Sequence, residues 1–199
     1  MHAYLAGLGT GLSLIVAIGA QNAFVLKQGL LRQYVLAVCL FCAISDGLLI
    51  AAGVAGAGTL AARAPWFLVV MRWGGALFLL VYGARSFLAA WRGGETLEAR
   101  GKASPGLAAT LMTLAALTWL NPHVWLDTVV LLGSVSAAWE DKRAFAMGAM
   151  TGSFLFFLTL GYGARLLAPL FARPVAWRLL DVLVGLIMWS IALGLVFAG

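Results

Sequence analysis

Thr118-Trp119-Leu120-Asn121-Pro122-His123-Val124-Trp125-Leu126-Asp127 lies inside an apolar run that extends roughly from Leu107 to Val135. Without it the run reads as one membrane-spanning helix, because about 20 apolar residues cross the hydrocarbon layer. Pro122 lacks a backbone donor and disfavours helix at Asn121, so the helix is expected to stop and restart there. A break at membrane depth is tolerated only where protein or a wet cavity satisfies the freed backbone groups. Asp127 follows at a depth where an unpaired carboxylate costs about 2.5 to 3.5 kcal/mol. A broken helix with a carboxylate just past the break has the features of a binding site.

Composition extends this reading to the whole chain. Of 199 residues 63% are hydrophobic and 10% charged, and the mean hydropathy is +1.01. A soluble domain is nearer half apolar and about a quarter charged, so the class is a polytopic membrane protein in contact with the bilayer. The net charge of +6 is spread too thinly for a nucleic-acid partner. It fits basic loops beside an anionic membrane face. The first apolar run has no basic segment before it and reads as a span rather than a cleaved signal.

Six spans are expected. The first runs roughly from Ala3 to Leu26 and holds Gly7, Gly9, Gly11 and Gly19, small residues that let helices approach closely. Gln21-Asn22 lies deep in that run, followed by a short loop with Lys27 and Arg32. The second, roughly Tyr34 to Leu60, carries Cys39, Cys42, Ser45 and, about midway, Asp46. The third runs roughly from Pro65 to Trp91, with Arg72, Arg85 and Arg92 placed to snorkel. After the polar stretch from Arg92 to Gly106, the fourth span holds the opening sequence. The fifth runs roughly from Ala144 to Leu170 and the sixth from Trp177 to Ala198, with Asp181 expected at the interface.

An internal repeat fits this order. Asn22 matches Asn121, Asp46 falls opposite Ser153, and Gly74 and Gly83 share the spacing of Gly185 and Gly194. The expected fold class is therefore an all-α integral membrane protein of six helices, built as two inverted three-helix repeats with the first helix of each broken. The single domain, 1–199, divides into repeat one at about 1–92, a connecting loop at about 93–106, and repeat two at about 107–199. Loops one, three and five carry most of the Lys and Arg, which places them in the cytoplasm and both termini outside.

The chemistry converges on the two breaks. Half-helix starts at Gln21-Asn22 and at Asn121-Pro122-His123 present backbone N–H groups suited to a carboxylate. Asp46 and Asp127 suit a cation, and the two sets together suit a zwitterion with a basic side chain. His123 stands four residues before Asp127 on the same helix side, where it can relay a proton or brace the break by a hydrogen bond. Trp73, Trp119, Trp125 and Trp189 can stack on a cation, although interface belts account for most Trp in such proteins.

Two alternatives have some footing. Cys39-Leu-Phe-Cys42 has CxxC spacing, which raises a membrane thiol redox carrier. The pair lies inside an apolar helix beside a carboxylate, against the electropositive setting that activates a thiolate. A divalent-metal exporter is the other, but the only histidines are His2 and His123 and the loops are basic. No resident metal or cofactor is implied, and nothing resembles a nucleophilic triad or a nucleotide fingerprint, so no enzyme is expected.

Several of these stretches resemble the LysE/ArgO family of basic amino-acid exporters. They are Ala20-Gln21-Asn22-Ala23-Phe24-Val25, Lys27-Gln28-Gly29, Cys42-Ala43-Ile44-Ser45-Asp46, Trp73-Gly74-Gly75, Tyr82-Gly83, Thr118 to His123, Leu126-Asp127-Thr128, and Val184-Gly185 with Met188-Trp189. The similarity covers essentially the whole chain and is nearest the arginine-exporter branch. It implies export of L-arginine, with L-lysine and analogues such as canavanine as secondary substrates, across the bacterial inner membrane. The family's intramembrane aspartates map onto Asp46 and Asp127, and its helix breaks onto Gln21-Asn22 and Asn121-Pro122. Gly19-Ala20 departs from the Gly-Pro common in relatives, leaving the first break to Gly19 and the amides. A homodimer is permitted by the exposed glycine-rich faces.

Overall fold

The computed structural model describes residues 1–16, 19–56, 65–92 and 105–197, and all regular structure among them is helical. Helix α1 (His2–Ile15) is followed by α2 (Ala20–Leu31), their axes meeting at 83°. Then come α3 (Val35–Val54) and α4 (Pro65–Arg92). Helix α5 (Leu107–Trp119) ends at the expected break, and the chain restarts as α6 (Pro122–Trp125), passes through a π-helical turn at Leu126–Leu131, and finishes as α7 (Leu132–Ser136). Helix α8 (Lys142–Gly163), two 3-10 turns and α9 (Pro174–Phe197) complete the chain.

Four of these helices are long and apolar enough to cross a membrane, and α1 with α2 makes a fifth crossing if the bent pair counts as one. The protein is thus an all-α membrane-spanning bundle. The second span stops at Val54, short of the expected Leu60, and 57–64 lie outside the described residues, as do 93–104 of the connecting loop. The fifth leaves α-helix at Gly163, with 3-10 turns at Ala164–Leu167 and Leu170–Ala172 where one helix to Leu170 was expected.

Both breaks are made by named side chains. Gly19, extended at φ −119° and ψ 171°, caps α2. Asn22 Nδ2 donates to the Ile15 carbonyl at 2.7 Å, satisfying an orphan of the last turn of α1. At the second break Asn121 is extended, its Oδ1 accepts from the His123 backbone N–H at 3.1 Å, and Pro122 takes the first helical position.

Small residues set the close helix pairs. Gly7 and Gly11 of α1 face Gly148 and Gly152 of α8, so closely that a methyl on Gly7 would overlap the Phe145 carbonyl and one on Gly148 the Tyr4 carbonyl. This is the small-xxx-small approach of membrane helices. Contacts advance together along both helices, from Tyr4 with Gly148 to Leu8 with Gly152, so α1 and α8 are parallel. Helix α2 continues along α8 to Gly161, which Gly29 abuts. The other broken rod tracks α3 in the same way: Trp119 Nε1 donates to Ser45 Oγ at 3.3 Å, and farther on Gly53 abuts the Thr128 and Val129 carbonyls.

Helices α4 and α9 pack reciprocally. Gly83 receives the Trp189 ring and Gly185 receives Phe87, the two rings meeting edge to face at 5.1 Å. Gly83 and Gly185 are thus each covered by an aromatic ring from the other helix, while Gly74 and Gly194 face open space. Arg72, expected near one interface, donates to the Leu195 carbonyl and, at 2.7 Å, to that of Val196. It closes the C-terminal end of α9, where free carbonyls attract a cation.

Candidate functional site

One cavity of about 320 Å³ gathers most of the residues singled out in the sequence. Gly19, Ala20, Gln21 and Asn22 line it from the start of α2, Asp46 from α3, and Asn121, His123, Asp127 and Thr128 from the restarted rod. Leu14, Ile15, Phe157 and Ile191 supply apolar wall. The volume lies at the lower end of those that hold small organic ligands, roughly 300–1,000 Å³.

Asp46 is 3% exposed, and Ser153, itself fully buried on α8, donates to its Oδ2 at 2.9 Å. Gln21, buried, sits beside Asp46 and Cys42 with its side-chain amide within hydrogen-bonding reach of both. Asp127 is half-buried, one turn past His123 and within its electrostatic reach. It stands in the π-helical turn, a feature frequent at functional sites and unforeseen in the sequence. Thr128, next in that turn, sends its hydroxyl back to the Val124 carbonyl at 2.5 Å.

Pro122 does not join the lining. It is buried at the base of the restarted helix against α4, where Gly75 leaves room for the Leu120 carbonyl and the proline ring. Its part is to fix the break. Nor do Trp73, Trp119, Trp125 and Trp189 line the cavity. Trp119 and Trp125 pack edge to face at 5.9 Å and brace the second break, Trp125 Nε1 donating to the Trp119 carbonyl.

The cysteines are free and buried, with Cys39 Sγ on the Phe157 carbonyl at 3.1 Å. Among the described residues no three His, Cys, Asp or Glu side chains converge as a metal site would require. One position assigned by sequence lies elsewhere. Lys27 is on α2, not in a loop, because the helix runs on to Leu31. Asp181, expected at the interface, is fully buried within the bundle, accepting from Lys27 Nζ at 2.9 Å. Snorkelling outward would have left that lysine without the carboxylate, and 154 positions of separation hid the pair from sequence reasoning. Ser153 was noticed only as a repeat match. Phe157 carried no signal beyond hydrophobicity.

The cavity thus offers two carboxylates for a cation and, at the start of α2, the Gln21 and Asn22 side-chain amides. Residues 12–199 match the family model described as LysE type translocator. Proteins described as arginine exporter protein ArgO from Salmonella schwarzengrund and Klebsiella pneumoniae are each 43% identical over 198 residues, covering 98% of this chain and 94% of theirs. One of the same description from Salmonella typhi is 42% identical with the same coverage. No solved structure matches the chain. The full-length agreement, together with a cavity built at two helix breaks, establishes that this chain belongs to the LysE type translocators, a family of transporters and not of enzymes.

Proposed function

We propose that this protein exports L-arginine from the bacterial cytoplasm across the inner membrane in exchange for a proton or another cation. The observation that carries the reading is the meeting of Asp46, Asp127, Gln21, Asn22, Asn121 and His123 in one cavity between two helix breaks. Asp46 and Asp127 hold the guanidinium, or one holds it while the other carries the coupling proton with His123 as relay. The start of α2, with Gln21 and Asn22, takes the substrate carboxylate, opposite Asn121 on the Pro122 break. L-lysine and cationic analogues such as canavanine are secondary substrates.

The direction sets the energetics. Moving a cation out of a negative interior costs about 2.3 kcal/mol per 100 mV, so export needs coupling. A carboxylate that holds either a proton or a guanidinium, never both, supplies it. One proton in for one arginine out moves no net charge and runs on the pH difference.

The architecture under this proposal is two inverted three-helix repeats, 1–92 and 107–199, in one transport domain. It is supported by the two broken rods that track α8 and α3, by Asp46 meeting Ser153, and by the reciprocal contacts of Gly83 and Gly185. Counting each rod as one crossing gives six spans, with both termini on the face opposite Lys27, Arg32, Arg92, Arg165, Arg173 and Arg178. The basic face is cytoplasmic and the termini are outside. Reporter fusions active only in the periplasm should signal at both ends, and silence at either rejects this orientation. Gly74 and Gly194, open on the outer surface, permit a second copy to pack closely, which crosslinking in membranes would detect.

The deciding experiment is efflux of labelled arginine from preloaded vesicles, with and without an imposed proton gradient, for the wild type, Asp46→Asn and Asp127→Asn. Gradient-stimulated efflux lost in both variants supports paired-carboxylate antiport. Efflux that survives both substitutions removes the aspartates from the mechanism.

A further inference from the structure

Between α2 and α8 the bundle carries a second hollow, a groove of about 260 Å³. Leu26 lines it from α2, Phe156, Leu160 and Gly163 from α8, and Ala164 and Leu167 from the 3-10 turn that follows. Phe156 and Gly163 stand about 10 Å apart along the axis, so the groove follows α8 for about two turns. No charged side chain lines it, and it shares no residue with the Asp46–Asp127 cavity. Leu167 is exposed at its edge, which opens the groove to the outer surface.

Gly163 shapes this groove. At Gly29, α2 meets the Gly161 carbonyl of α8, and a methyl there would overlap it. Two residues farther along α8, a methyl on Gly163 would meet nothing within 4 Å. Its dihedrals, φ −66° and ψ −28°, are those of ordinary right-handed helix. Neither the backbone nor a neighbouring helix calls for glycine there, and the missing side chain leaves the groove open.

The groove ends at a cation. Arg165 lies between the lining residues Ala164 and Leu167, is exposed, and holds its guanidinium 5.9 Å from the centre of the exposed Tyr162 ring. Tyrosine is enriched at the headgroup level of a bilayer. Among the described residues no carboxylate pairs with Arg165: Asp46 and Asp127 line the cavity, Glu140 and Asp141 stand at the other end of α8, and Asp181 is buried with Lys27.

We propose that this groove binds an anionic phospholipid, with one acyl chain along Phe156 to Gly163 and the phosphate on Arg165. Lipid tails are as apolar as the groove, so removal from water supplies no preference. A seated chain gains instead the dispersion contacts of a concave wall, which a flat helix face lacks. Selection comes from the guanidinium, whose planar fork bonds two phosphate oxygens. A headgroup without an ammonium brings no opposing positive charge to it. The site is independent of what the protein carries, and so is its test.

The full chain is purified in detergent and titrated with phosphatidylglycerol or phosphatidylethanolamine, and bound lipid is counted by native mass spectrometry. The wild type should hold one phosphatidylglycerol about fivefold more tightly than phosphatidylethanolamine. Gly163→Leu should lose that lipid, while Gly74→Leu, which fills open space on α4 instead, should keep it. Arg165→Gln should bind the two lipids alike, and Arg173→Gln with Arg178→Gln should keep the preference.

Equal affinities in the wild type, or undiminished binding in Gly163→Leu, overturn the site. The same loss of preference in Arg165→Gln and in the Arg173, Arg178 double variant also overturns it, since the attraction is then diffuse. A dimer that Gly163→Leu disperses gives the groove to a second copy and overturns the lipid. If Gly163→Leu does not accumulate, wild-type protein in phosphatidylcholine nanodiscs receives a phosphatidylglycerol with a photoreactive group on one chain. Adducts concentrated at Leu26 and 156–167 support the groove, and adducts spread around the bundle overturn it.

Discussion

Ser153 of α8 donates a 2.9 Å hydrogen bond to the Asp46 carboxylate of α3, joining two fully packed helices at the wall of the cavity. Under the proposed function, the bond orients the carboxylate that meets the cation. Hydrogen bonds to charged groups contribute about 1.5–3 kcal/mol. Ser153→Ala should therefore raise the arginine concentration for half-maximal efflux by about ten- to a hundredfold, while Ser153→Thr, keeping the hydroxyl, should recover much of the loss. Wild-type kinetics in Ser153→Ala would show that the bond has no part in binding.

The coupling scheme makes an electrical prediction. If a proton and a guanidinium alternate on one carboxylate, the exchange is electroneutral. Arginine efflux from vesicles should respond to an imposed pH difference and stay unchanged when a potassium gradient with valinomycin sets the membrane potential. A rate that follows the potential instead would reject one-for-one exchange.

Helix contact along α1 and α8 leaves no space for a side chain at Gly148, where the Tyr4 carbonyl is in the way. Gly148→Val should lower the thermal stability of the detergent-purified protein or stop its accumulation, since overpacking costs about 1–3 kcal/mol and here meets backbone. Gly9→Ala is the matched control, because Gly9 faces open space. It should be neutral or mildly stabilising, helix glycines costing roughly 0.5–1 kcal/mol relative to alanine. Equal behaviour of the two variants in a thermal-shift measurement would contradict the packing.

Both thiols are buried in the core, and neither lines the cavity. Cys39→Ser with Cys42→Ser should keep gradient-driven arginine efflux within about twofold, as expected where a free cysteine serves as a small packing residue. Loss of all activity in a double variant that still folds would revive the thiol redox alternative.

The two breaks were legible in the chain because proline chemistry and paired amides are local: Pro122 cannot continue a helix whatever surrounds it, and Gln21-Asn22 cannot rest comfortably in hydrocarbon. The membrane class followed from composition alone, since a chain with 10% charged residues cannot cover a water-facing surface. Asp46 and Asp127 stood out for the same reason, as charges in apolar runs. What the sequence determined, then, were the features fixed by one residue's own chemistry or by its near neighbours. Tertiary structure alone decided which distant groups meet. It took Lys27 out of a loop and joined it to Asp181, turned Arg72 onto the end of α9, brought Ser153 to Asp46, and kept Pro122 and the tryptophans out of the cavity. Each of these is a pairing of a buried polar or bulky group with the one partner that packing brings within reach, and partner choice at such separations is a property of the folded bundle.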